Sequence, residues 1–108
     1  MTESLAVYTA ALAAAAAGRA VVLATIVRAK GSTPRGVGSK MVIDPDGELV
    51  GTVGGGCGEA EVIERAREVV QSGRARLIRV ELLDDFLSWS PAVCGGVFDV
   101  LLEPVGGA

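Results

Sequence analysis

Three glycine-rich stretches hold most of the residues in this sequence that could do chemistry on a small ligand. Gly54-Gly55-Gly56-Cys57-Gly58-Glu59 runs from a β-type segment straight into a helical pattern. At such a junction the unpaired backbone N–H groups of the first helical turn and the helix dipole both favour an anion. It is not a P-loop, because no Gly-Lys-Ser/Thr follows, and it lacks the G-x-G-x-x-G spacing of a dinucleotide site. Taken alone, it reads equally well as a tight strand-to-helix turn. Gly31-Ser32-Thr33-Pro34-Arg35-Gly36-Val37-Gly38 sets two hydroxyls and an arginine between glycines. That composition suits an oxyanion gripped by a bidentate guanidinium, and Arg35 is the charge expected to do it. The ordinary alternative is a surface loop with a solvated arginine. The third stretch, Cys94-Gly95-Gly96, would let a ligand approach the backbone closely.

Cys57 and Cys94 read as reduced thiols beside glycines, with nothing in the sequence pointing to secretion. Cys57 is expected near the first turn of its helix, where thiolate is stabilised, so it could serve as a nucleophile or a soft metal ligand. The commonest fate of a free cysteine, a small buried hydrophobe, stands against both roles. The sequence has no histidine, which removes Ser-His-Asp and Cys-His catalysis and imidazole-based zinc sites. Asp84 and Asp85 read as a solvated turn more readily than as magnesium ligands. Glu59, in the first helical turn, also serves as a partner of the helix dipole.

The elements that must position these loops are legible in the hydrophobic pattern. Leu5, Tyr8, Leu12 and Ala15 recur at helical spacing and Gly18 follows, which predicts a helix over residues 3–17. Residues 20–27 are β-branched and apolar on both faces, the pattern of a central strand. Residues 39–44 and 48–53 flank Asp44-Pro45-Asp46-Gly47 and are expected to pair as a hairpin. From 57 to 72, Val62, Ile63, Ala66, Val69 and Val70 form one apolar stripe, Glu61 and Arg65 stand at i,i+4, and Gly73 supplies the stop. Strands are expected at 76–82 and 97–102. Between them lies a long loop, 84–96, which holds Trp89 and Cys94 and is read as functional.

The 108 residues, half of them apolar, suffice for one domain with its own core. The expected architecture is α/β: a single compact domain, residues 1–108, with a mixed sheet of about five strands and two main helices. A net charge of −3 speaks against nucleic acid. The alanine-rich stretch at 10–17 lacks the basic flank of a signal sequence, and no apolar run is long enough to span a bilayer. A cytoplasmic protein without membrane or nucleic-acid partners is the expectation.

In succession, Gly31-Ser32-Thr33-Pro34-Arg35, Gly51-Thr52-Val53-Gly54-Gly55-Gly56-Cys57 with Glu59, Cys94-Gly95-Gly96 and Glu103-Pro104 resemble the N-terminal domain of the XdhC/CoxI family. The match is ordered and spans nearly the whole chain. The resemblance implies an accessory chaperone that binds molybdenum cofactor, as molybdopterin or its dinucleotide form, and helps insert it into a molybdenum hydroxylase of the xanthine or carbon monoxide dehydrogenase type. It implies cofactor contacts from Ser32, Thr33, Arg35, Gly54, Gly55, Gly56, Cys57, Glu59, Cys94, Gly95 and Gly96, with Cys57 or Cys94 meeting the molybdenum. Many relatives carry a second, Rossmann-like domain that has no counterpart in these residues, so a separate partner chain is expected to supply it. A homodimer is expected by the same resemblance. Two alternatives stay open: a thiol-dependent or nucleotide-processing enzyme using Cys57, and an interaction domain without a ligand.

Overall fold

The most apolar segment of the sequence becomes the middle of a sheet. In the computed structural model, which describes residues 3–31, 33, 35–45, 49–53, 58–81 and 96–107, the elements run in order α1 (Glu3–Ala16), β1 (Val21–Lys30), β2 (Lys40–Ile43), β3 (Leu49–Gly51), α2 (Glu59–Ser72), β4 (Arg76–Glu81) and β5 (Val97–Val105). The five strands form one sheet in the order β3-β2-β1-β5-β4. The α/β class, the five strands and the two helices are as the pattern predicts. Pairing is antiparallel at every strand interface rather than mixed.

The sheet separates two apolar layers. Period-2 alternation sends Val22, Ala24 and Ile26 of β1 to one face, where they join Met41, Ile43, Phe98, Val100 and Leu102 under Val62, Ala66 and Val69 of α2. Val21 and Val42 point the other way, onto Val7, Ala11 and Ala14 of α1. The α1 face differs from the expected stripe: Leu5, Tyr8 and Leu12 are exposed, Leu12 by 72%. The helix is apolar all round, so periodicity cannot select its buried side. The small Ala11 and Ala14 allow the closest approach to the sheet, and they take it.

Two strands run longer than the pattern predicts. β1 continues through Arg28 and Lys30, and β5 continues through Glu103 and Pro104 to Val105. β4 pairs β5 only as far as Leu102. Pro104, which has no N–H to donate, therefore sits where β5 has a single neighbour. On α2 the expected Glu61–Arg65 partnership is replaced by Arg65 Nη1 donating to Glu68 Oε1 at 3.1 Å. Glu68 also pairs with Arg76 of β4, which fastens the helix to the strand that follows it.

Candidate functional site

The sheet register brings the three glycine-rich stretches to one end of the molecule. β1 pairs β2 with Thr25 opposite Lys40, and β2 pairs β3 with Met41 opposite Gly51. At the far end of β1, Lys30 lies opposite Val97, which in turn lies opposite Glu81. The ends of β1, β3 and β4 and the starts of β2 and β5 therefore face the same way along the sheet, β2 and β3 stopping level with Ala24 and Thr25, midway along β1. Gly31 of the first stretch and Gly96 of the third flank the paired residues Lys30 and Val97. The second stretch leaves β3 after Gly51, and α2 takes the chain up again at this end and packs over β5 and β1.

Of the predicted contact residues, Thr33, Arg35, Glu59 and Gly96 are described. Ser32, Gly54, Gly55, Gly56, Cys57, Cys94 and Gly95 lie outside the described residues, as do Asp84, Asp85 and Trp89. Thr33 Oγ1 donates to the Arg35 carbonyl at 2.9 Å, a local bond that shapes the loop. Arg35 itself is exposed, and Gly96 is buried. The loop returns to the sheet by a pair of backbone bonds, Gly38 N–H to Ile26 O and Ile26 N–H to Ser39 O. Glu59 accepts a hydrogen bond from the Thr52 hydroxyl, which ties the start of α2 to the end of β3. The N-cap of α2 is Gly58 with φ of 74°, and no side chain caps the helix. Its first turn carries Glu59 and Glu61, so the positive end of the dipole already faces two carboxylates.

At the same end, on the sheet face opposite α2, lies a cluster that the hydrophobic pattern missed. A cleft of about 340 Å³ is lined by Arg28, Lys30, Arg79, Val97 and Asp99, at the lower limit of small-molecule pockets, about 300 Å³. A β-bulge between Ile26 and Arg28 creates it. Without the bulge, with Val27 paired regularly, strict alternation would send Arg28 and Lys30 into the core behind Ile26. With it, Ala29 packs against the core and both cations turn to the open face. Arg28 and Arg79 then lie on either side of Asp99 in the register. Asp99, only 8% exposed, is the one buried polar residue among those described. Its Oδ1 accepts from Arg79 Nε at 3.0 Å. That hydrogen bond, and then the carboxylate's charge, raise the Arg79 pKa above its ordinary value. The sequence signals were an acid inside the apolar run of β5 and an Arg-x-Lys alternation just past the expected end of β1.

Among the described residues no group of three or more His, Cys, Asp or Glu is placed to hold a metal ion. No helix among them is long and apolar enough to cross a membrane.

The XdhC and CoxI family model matches residues 14–81. The chain is 37% identical over 93 residues to the molybdenum cofactor insertion chaperone PaoD of Escherichia coli strain K12, covering 84% of this chain and 28% of that protein. It is 35% identical over 86 residues to a probable xanthine dehydrogenase component of Bacillus subtilis strain 168, covering 78% of this chain and 26% of that one. A crystal structure of a xanthine dehydrogenase from Bacillus halodurans matches with a TM-score of 0.75 and 33% identity, over 96% of this chain and 30% of that chain. The chain thus spans less than a third of the length of each of these relatives.

Proposed function

Because the chain belongs to the XdhC and CoxI family, matched over residues 14–81, we propose that it binds molybdenum cofactor and helps its insertion into a hydroxylase of the xanthine dehydrogenase type. The observation that carries this reading is that all three glycine-rich stretches adjoin strand termini that face the same way along the sheet. The similarity to a cofactor insertion chaperone over 84% of this chain supports it. Molybdenum cofactor is a pterin dithiolene ending in a phosphate or a dinucleotide. Its anionic end fits an edge that presents the exposed Arg35 and the cations of the neighbouring cleft. Arg35 and the loop Gly54 to Gly56 hold the phosphate in this proposal, with Ser32, Thr33, Glu59, Gly95 and Gly96 around it, and Cys57 or Cys94 supplies a soft thiolate to the molybdenum. The partners are the client hydroxylase and a Rossmann-like domain, and the working form is a cytoplasmic homodimer.

The test is anaerobic incubation of the purified protein with released molybdenum cofactor, then gel filtration with molybdenum and pterin assayed in the protein peak. Stoichiometric co-elution that Arg35→Ala and Cys94→Ser abolish is the expected outcome. If neither metal nor pterin travels with the unaltered protein, this domain is not the carrier. Rapid alkylation of Cys57 at neutral pH, without cofactor binding, would favour the thiol-enzyme alternative instead.

A further inference from the structure

The cleft on the open face of β1, β5 and β4 lies beside the glycine-rich stretches rather than within them, and its charges are unbalanced. Arg28 and Lys30 make no ion pair or hydrogen bond among the described residues, and both are exposed. Arg79 uses only Nε on Asp99, which leaves its two Nη groups without a partner among the described residues. Glu81 lies in the same register row as Val97 and Lys30 but does not line the cleft. Among the described residues that line the cleft, three cations face one carboxylate, with Glu81 nearby adding its charge at Arg79, in a chain whose overall charge is −3. All of them stand on paired strands, so their backbone positions are fixed before any ligand arrives. The buried Asp99 holds Arg79 by one edge and orients its fork, which is how a guanidinium is prepared for bidentate recognition of an oxyanion.

We propose that this cleft is a phosphate-binding site, in which Arg28, Lys30 and Arg79 take the phosphoryl or pyrophosphoryl group of a small ligand, with Val97 as its apolar floor and Asp99 as a positioning residue. The affinity for phosphate stands on these side chains alone. That the ligand is molybdenum cofactor, its anionic end then reaching this cleft in addition to Arg35 and the Gly54 to Gly56 loop, rests on the chaperone reading. Because β1 runs straight from Lys30 into Gly31, and Gly96 straight into Val97, a ligand anchored here extends toward two of the three glycine-rich stretches.

The experiment is titration calorimetry of inorganic pyrophosphate into the protein at low ionic strength, comparing the unaltered chain with Arg28→Ala, Lys30→Ala and, as a control on the opposite side of the sheet, Arg67→Ala. Thermal unfolding by circular dichroism verifies that each variant is folded. Loss of one charged donor is expected to weaken binding about tenfold for Arg28→Ala and for Lys30→Ala, and Arg67→Ala is expected to leave it unchanged. No binding by the unaltered protein, or equal loss in all three variants, overturns the site. Binding of an acidic peptide in place of pyrophosphate also overturns it, and makes the cleft a protein-docking surface. Repeating the cofactor co-elution with Arg28→Ala separates the two readings. Pyrophosphate binding without any cofactor co-elution leaves the site standing and removes the chaperone. Full co-elution by Arg28→Ala removes the cleft as a second hold on the cofactor's anionic end.

Discussion

Single side chains decide how closely α1 sits on the sheet. Ala14 is 1% exposed and faces the apolar side of β1 and β2, so Ala14→Leu inserts volume where none is free. A loss of about 1–3 kcal/mol is expected by urea unfolding. Leu12, although the larger and more apolar residue, points to solvent, and Leu12→Ala is expected to change stability by less than about 0.5 kcal/mol in the same measurement. The reverse order of effects would place α1 on its other face. The sequence could not separate these cases, since Leu5, Tyr8 and Leu12 recur at helical spacing as regularly as Val7, Ala11 and Ala14. Arg28 and Lys30 were hidden for a related reason: they follow an apolar strand and read as the loop after it.

At the scale of elements, the turn out of β3 has a strict backbone requirement. Gly51 has φ of 80°, and a Cβ built there would come within 2.6 Å of the Lys40 carbonyl oxygen and 2.7 Å of Val7 Cγ2. The left-handed conformation and the close approach penalise any side chain together. Gly51→Ala is expected to cost about 2–4 kcal/mol, measured by denaturant midpoint at unchanged slope. The substitution lies where β3 turns toward the second glycine-rich stretch, so cofactor co-elution should weaken with it. Helix α2 was legible almost to the residue, because Val62, Ala66 and Val69 make one stripe and Gly73 ends it. The limits of β1 and β5 were less legible. A bulge carries β1 past Val27, and a missing neighbour lets β5 run through Pro104; neither is a property of the local pattern.

Over the whole molecule, the sheet divides the core into two layers that share strands but not side-chain faces. Val7→Ala in the α1 layer and Val69→Ala in the α2 layer are expected to be additive in unfolding free energy to within about 0.5 kcal/mol. A larger coupling measured in the double variant would mean that the layers communicate through the sheet. Phe98→Ala, in the layer under α2, is expected to cost about 3–5 kcal/mol, a large part of the roughly 5–15 kcal/mol typical of a domain. The sequence by itself determined the α/β class, both helices, the central position of β1, the hairpin, and the ordered motifs that carry the family resemblance, because each rests on a local period, a turn residue or a spacing. The tertiary structure alone decided that the strand termini next to the three glycine-rich stretches face the same way, since only strand pairing converts sequence order into a shared direction. It alone decided the cleft as well. Arg28, Arg79 and Asp99 come from three strands far apart in the chain, and they meet because one extra residue in β1 turns two cations out of the core.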